Sequence, residues 1–463
     1  MRVLIAGAGW AGLACAIELT KAGHHATVLE TSRVVGGRAR SLHVTMPDGS
    51  EATLDNGQHI LIGAYSETLR LMREVGVRPE KVLYRMPLTL RFPNGDALQL
   101  PDWKKPLIKG IDVACGVMMA KGWSVADKFS LLRTAVSWRL SGFQCTPQTT
   151  VSELCKHVSP RVMEVLIEPL CVSALNTPAD RACGQVFLRI MHDSLFTATD
   201  DCTDFKVGSS NLLLPKADLG TLFPQAAVAW LAERGCDVRL GHRLKQFQSL
   251  SNSEQTAYIS SGQEPDLIQN FDAIVLATPP VEAARIAKHS GHAAWAAIAD
   301  TLHYEAITTV YATVPKDTPP AKLPLPMMAL PSSENQPAQF VFDRGELTGQ
   351  SGLLAFVVSA SVGDAATVES QVIQQGRQQL GLPNLQALQT IVDKRATFAC
   401  TPGLQRPAMQ IAPHIIACGD YVDGPYPSTL EGAVRSGIAV ARHCALHPIG
   451  YGSRASTRFA ARP

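Results

Sequence analysis

Residues 2–30, RVLIAGAGWAGLACAIELTKAGHHATVLE, decide how this chain of 463 residues folds. Arg2 to Ala6 is a short apolar run, Gly7-Ala8-Gly9-Trp10-Ala11-Gly12 follows it, and Leu13 to Ala22 carries apolar residues at helical spacing. A second run, His25 to Leu29, stops on Glu30. Strand, G-x-G-x-x-G turn, helix, strand and acid in this order form the pattern that binds a dinucleotide. Gly7 allows the tight turn, Gly9 lets a pyrophosphate approach the backbone, and Gly12 lets the helix pack closely on the strand. The phosphates are then expected on free N–H groups at a helix N-terminus, with Trp10 and Ala11 of the turn among the cofactor-binding residues. Glu30 stands where it can accept hydrogen bonds from ribose hydroxyls. The fingerprint by itself leaves NAD and FAD both open.

The next residues bear on that choice. Thr31 to Ser41 contains the pair Gly36-Gly37 followed by Arg38. A glycine pair permits close backbone approach, and an arginine makes charge-assisted hydrogen bonds to phosphate. The spacing from Glu30 resembles the second FAD motif of the amine oxidase and carotenoid desaturase superfamily of flavoproteins. That resemblance implies FAD and an α/β fold, in which a Rossmann-type FAD-binding domain is interleaved with an α+β substrate domain.

A chain of this length is too long for one compact core. Hydrophobic residues make up 46% and charged residues 18%, with a net charge of +2, a balance that gives no sign of a nucleic-acid partner. No apolar run approaches the roughly eighteen residues needed to span a bilayer, and the first residues read as a strand rather than a signal peptide, so a cytoplasmic protein is expected. The 11 cysteines form no C-x-x-C pair and read as reduced thiols, with no metal site expected.

Further along, Asp55-Asn56-Gly57-Gln58-His59 precedes a short apolar run, and Ser66 to Val75 reads as a helix with Ser66 as its candidate cap. The stretch DNGQHILIGAYSETLRLM, residues 55–72, is similar to the matching segment of the hydroxysqualene dehydroxylases, and a related arrangement occurs in plant-type phytoene desaturases. Glu168-Pro169-Leu170 through Leu175-Asn176-Thr177-Pro178 resembles the EPL-x(4)-LNTP stretch of the same dehydroxylases. Gly419-Asp420 and Ser428 to Gly437 match the last FAD motif of the superfamily. By this resemblance Gly57 and Gln58 pass beside the isoalloxazine and Leu244 meets adenine through its backbone. It also has Asp420 accept from a ribityl hydroxyl, while Thr429 and Leu430 open a helix toward the flavin or pyrophosphate.

The expected division is an FAD-binding domain from 1–65, 205–290 and 400–450, a substrate domain from 66–204 and 291–399, and a basic tail at 451–463. Thr89 to Leu100 reads as a hairpin around Asn94-Gly95, Gly220 to Arg234 as one helix, and residues 300–400 as the substrate-domain sheet. Leu107 to Phe143 reads as two helices parted near Gly122-Trp123-Ser124, with Ser124 or Asp127 as cap. Their apolar residues, edged by Lys104, Lys105, Lys109 and Lys121, fit either a core helix or a membrane-surface one.

The dehydroxylase resemblance implies replacement of the hydroxyl of hydroxysqualene by a hydride from reduced FAD, on the way to squalene and hopanoids. Hydroxide leaves only when protonated, and His59 and Asp55 are the ionisable groups beside the expected flavin position. His59 is the first choice as acid because its unperturbed pKa suits proton donation near neutrality, with Asp55 orienting it or holding the loop. The long isoprenoid implies an apolar tunnel built from 105–200 and 300–400, peripheral contact with the inner face of the cell membrane, and contact with other squalene-pathway enzymes. Competing readings are a phytoene-type desaturase, an amine oxidase, whose aromatic cage is not identifiable here, and a non-catalytic flavin-stabilised scaffold.

Overall fold

The computed structural model describes residues 1–45, 49, 51–103, 110–196, 207–251, 254–261, 267–315 and 318–446. The basic tail and the expected edge lysines 104, 105 and 109 lie outside them.

The first strand, β1 (Arg2–Ala6), is central. Its Val3, Leu4 and Ile5 are wholly buried, as a parallel strand covered on both faces requires. It pairs in parallel with β2 (His25–Glu30) on one side and with Ala273–Leu276 on the other. Asp237–Leu240 extends the sheet beyond β2, Ile415–Ala417 extends it beyond Ala273–Leu276, and Gln410–Ala412 closes that edge in antiparallel sense. Helix α1 (Trp10–Lys21) crosses from β1 to β2 and packs on the C-terminal helix Leu430–Leu446. The two helices meet so closely that a Cβ on Gly437 would lie 2.2 Å from the Ala11 carbonyl oxygen.

A second sheet of five antiparallel strands has the order Met327–Ala329, Phe340–Asp343, Leu354–Ser359, Tyr304–Thr313, Gln386–Phe398. Its side chains alternate with period two. Val310, Val341, Phe356 and Val358 join the core beneath the helix Ala365–Leu380, while Phe340, Phe342 and Val357 point to the opposite face. Between Ile111 and Leu195 the described chain is helical, broken into short pieces, with a π-helical turn at Met163–Ile167 just before Glu168-Pro169.

Three local expectations are corrected. Ser66 does not cap the helix Ser66–Glu74. The acceptor comes instead from the distant Glu431, whose buried carboxylate takes the N–H groups of Glu67 and Thr68 at 3.1 and 2.9 Å and the Thr68 hydroxyl at 2.7 Å. Gly220 to Arg234 is not one helix: Leu219–Leu222 ends at Phe223, and Pro224, which has no N–H to continue the ladder, starts Pro224–Glu233. Ser124 and Asp127 are not alternative caps but the two halves of one capping box on Val125–Leu140. The hairpin pairs Thr89–Arg91 with Ala97–Gln99.

Candidate active site

The turns at the C-terminal ends of the parallel strands open onto a cavity of about 970 Å³, near the upper end of the roughly 300–1,000 Å³ usual for ligand sites. Its floor is the dinucleotide fingerprint. Gly7 has φ +117°, and a Cβ there would stand 2.5 Å from the Ala277 carbonyl oxygen. A Cβ on Gly12 would stand 2.0 Å from the Gly7 carbonyl oxygen, so helix and turn are in backbone contact. At Gly9 nothing is closer than the Gly37 Cα, 3.8 Å away, which leaves its face open to the cavity. Trp10 and Ala11 line the cavity at the start of helix α1, where no side chain among the described residues caps the helix. Glu30 is oriented by the Ala8 and Ser32 N–H groups, which donate to its two carboxylate oxygens at 2.9 and 2.8 Å.

Of the residues that the sequence assigns to the cofactor, Gly7, Gly9, Trp10, Ala11, Glu30, Gly36, Gly37, Arg38, Gly57, Gln58, Leu244, Gly419, Asp420, Thr429 and Leu430 all line this one cavity. Gly12 does not; it acts behind the turn through its contact with Gly7. Thr278 Oγ1 and Tyr421 Oη belong to residues of the same wall and are shielded from solvent without a hydrogen-bond partner among the described residues. A helix start at the cavity wall, an open glycine face, a carboxylate at the end of β2 and hydroxyls without a partner among the described residues together fit a dinucleotide such as FAD.

Opposite this floor stands the inner face of the second sheet, with Ile307, Phe340, Phe342, Val357 and Ile391 at the wall. The helical segment contributes less than expected. Among the described residues of 105–200 only Val172, Ser173, Ala174 and Asn176 reach the cavity, and the two helices between Ile111 and Leu140 do not. Asn176 ends its helix in the left-handed conformation and ties it to the sheet. It accepts the Ala360 N–H at 2.6 Å and donates to Thr397 Oγ1 at 3.0 Å.

The two expected catalytic groups part company. His59 lines the cavity with Nδ1 2.8 Å from the Gly57 carbonyl oxygen, which can only accept. In the neutral ring Nδ1 therefore carries the hydrogen, and Nε2 is the free position. Burial pushes the His59 pKa below 6.5; the Gly57 bond opposes this and the Arg38 charge reinforces it. The ordinary imidazole value that recommends His59 as the acid is thus lowered in its buried place.

Asp55 does not line the cavity, and the partner of the His59 ring is the Gly57 carbonyl rather than the Asp55 carboxylate. Its Oδ1 accepts the Leu219 N–H at 2.8 Å, its Oδ2 faces Arg344 Nη1 at 3.4 Å, and its carbonyl oxygen accepts the Tyr311 hydroxyl at 2.9 Å. Arg344 also donates to Gln58 Oε1 at 3.2 Å. Asp55 is the root of the loop that presents Gly57, Gln58 and His59. Burial raises its pKa to about 6, outweighing the Leu219 N–H and the Arg344 charge. Arg344 escaped sequence reading because nothing in its local pattern distinguishes it from a solvated arginine.

Several known proteins are similar to this chain. A hydroxysqualene dehydroxylase of Rhodopseudomonas palustris is 26% identical over 466 residues, covering 94% of this chain and 96% of that protein. One from Zymomonas mobilis is 23% identical over 461 residues, covering 94% and 97%. A 15-cis-phytoene desaturase of Synechococcus elongatus is 28% identical over 291 residues, 60% of this chain and 58% of that protein. Among solved structures, an oxidoreductase from Methanosarcina mazei superposes with a TM-score of 0.69 at 16% identity, covering 96% of this chain and all of that one. Cyclohexylamine oxidase from Brevibacterium oxydans gives 0.62 at 16% identity, covering 96% and 98%. The flavin containing amine oxidoreductase family matches residues 10–445. The cavity and this match lead to one conclusion: the chain belongs to the flavin containing amine oxidoreductases and is an FAD-dependent oxidoreductase.

Proposed function

We propose that this protein converts hydroxysqualene to squalene by reductive loss of its hydroxyl group. The observation that carries the reading is the apolar face of Ile307, Phe340, Phe342, Val357 and Ile391, set across one cavity from the cofactor loops. The names of the Rhodopseudomonas and Zymomonas relatives supply the substrate. The C–O bond breaks with its electron pair on oxygen, a proton converts the departing hydroxide to water, and a hydride takes the vacated carbon. FAD, once reduced by an external donor, supplies that hydride.

The chain's own residues do the rest. The apolar wall binds the isoprenoid tails, at about 0.8 kcal/mol per buried methylene, and keeps water from the electron-poor carbon. Proton donation is assigned to His59 Nε2, the free ring position, with Nδ1 anchored on the Gly57 carbonyl. A lowered pKa makes the imidazolium a stronger acid but a scarcer one at neutral pH. The Asp55–Arg344–Gln58 contacts fix the loop that aims the ring.

The phytoene desaturase match favours a second reading, oxidation of a polyene by oxidised flavin in the same cavity. One experiment separates the two. Anaerobic, chemically reduced protein is mixed with hydroxysqualene in detergent, the flavin spectrum is followed and the lipid is extracted. Reoxidation with matching squalene supports the dehydroxylase; unchanged alcohol with the flavin still reduced overturns it.

A further inference from the structure

The helices Ile111–Met119 and Val125–Leu140 carry a feature that the cavity does not use. On the second helix Leu131, Thr134 and Trp138 face the core. Val125, Phe129, Val136 and Leu140 recur at spacings that place them on one other stripe, and they face water, with Val125, Phe129 and Leu140 at 82%, 68% and 83% exposure. Met118 and Met119 add exposed apolar tips at the end of the preceding helix, Met119 at 74%. A helix that is apolar on two faces has two partners, and the protein core is only one of them.

The charges say what the second partner is. Around the stripe stand Lys121, Lys128, Arg133 and Arg139, against the carboxylates Asp112 and Asp127 on the same two helices and their connection. Asp127 is occupied by Ser124 and Ser159, whose hydroxyls donate to it at 2.8 and 2.6 Å. Bulky apolar tips rimmed by cations match an acyl surface beneath anionic headgroups. No described helix is long and apolar enough to cross a membrane, so the contact is with one leaflet.

We infer that this face docks the protein on an anionic lipid bilayer. Resting on the proposed reaction, the surface brings the enzyme to the phase in which a thirty-carbon isoprenoid alcohol resides.

The test uses full-length protein with FAD bound and vesicles of phosphatidylcholine, with or without phosphatidylglycerol. The wild type sediments with the mixed vesicles, less so in high salt or without phosphatidylglycerol. Phe129→Asp with Leu140→Asp lowers the partition coefficient about tenfold or more. Val362→Asp, at an exposed apolar residue on the loop after Leu354–Ser359, leaves it unchanged. Lys121→Glu with Arg133→Glu removes the preference for phosphatidylglycerol. Equal sedimentation of the wild type and the double aspartate variant overturns the inference. So does a wild-type dimer in analytical ultracentrifugation that the double variant abolishes, since the face would then belong to a second copy. Vesicle binding is read without turnover, so it stands or falls apart from the substrate assignment. If both hold, the double variant matches wild type on detergent-dispersed hydroxysqualene and is slowed only on vesicle-borne substrate.

Discussion

Arg38 donates a 2.5 Å hydrogen bond to Asp420 Oδ1, joining two cofactor motifs that stand 382 residues apart. The same guanidinium reaches the Ala396 carbonyl oxygen at 2.6 Å, so the glycine-pair loop, the long strand Gln386–Phe398 and the C-terminal motif meet at one cation. Asp420 is buried, and removing it leaves that cation without its carboxylate at the cavity wall. Asp420→Ala is expected to weaken FAD binding by about tenfold or more, ~1.4 kcal/mol. Titration of the apoprotein with FAD, followed by flavin fluorescence, checks this; an unchanged Kd contradicts it.

Two glycines of the fingerprint separate folding from binding. Gly12→Ala drives a Cβ into the Gly7 carbonyl and is expected to lower the thermal midpoint of the apoprotein as well as abolish FAD binding. At Gly9, with φ −78°, a Cβ would make only an ordinary van der Waals contact, 3.8 Å from the Gly37 Cα. Gly9→Ala is therefore expected to leave the apoprotein midpoint unchanged while weakening FAD binding, because the methyl occupies the approach of the pyrophosphate. Calorimetry with and without FAD reads both; equal behaviour of the two variants contradicts the assignment.

Asp55 predicts a pH dependence of stability. Its folded pKa of about 6 lies above the ordinary 3.8, so the folded protein holds this proton more tightly than the unfolded chain. The contribution is fully present below the ordinary value and is lost as pH rises through about 6. The stability of wild type relative to Asp55→Asn should fall across that window by up to about 3 kcal/mol. Urea unfolding of both apoproteins over the range measures it, and a flat difference contradicts the burial-driven shift.

His59 predicts a pH dependence of activity with its own direction. If Nε2 delivers the proton, turnover on hydroxysqualene declines as pH rises through a value below 6.5, and His59→Gln removes the decline together with most of the rate. Single-turnover rates against pH test this. A profile that His59→Gln leaves in place transfers the proton to another group.

The legibility of the chain follows the range of the forces involved. The β1–α1–β2 unit was readable because its glycines, apolar runs and terminal acid are local requirements of one turn and one helix start. The break at Phe223-Pro224 was local as well, since a proline interrupts a helical pattern, yet the apolar periodicity across it obscured it. What stayed hidden was long-range. Glu431 looks like any first-turn acid of its own helix, and only the packed structure shows it capping a helix whose residues lie 363 positions away. The same holds for Asp55, whose sequence neighbours point to the cavity while its carboxylate turns to Leu219 and Arg344. Proximity in sequence to His59 made it look catalytic; the intervening turn sends the two side chains to different places.

The most direct test of the account is to run the anaerobic conversion in D2O, where the transferable hydrogen of reduced flavin exchanges with solvent, and to examine the extracted product by mass spectrometry and NMR. The expected product is squalene with a single deuterium on the carbon that carried the hydroxyl, formed in step with flavin reoxidation. Squalene without deuterium at that carbon, or hydroxysqualene recovered intact beside reduced flavin, would contradict it.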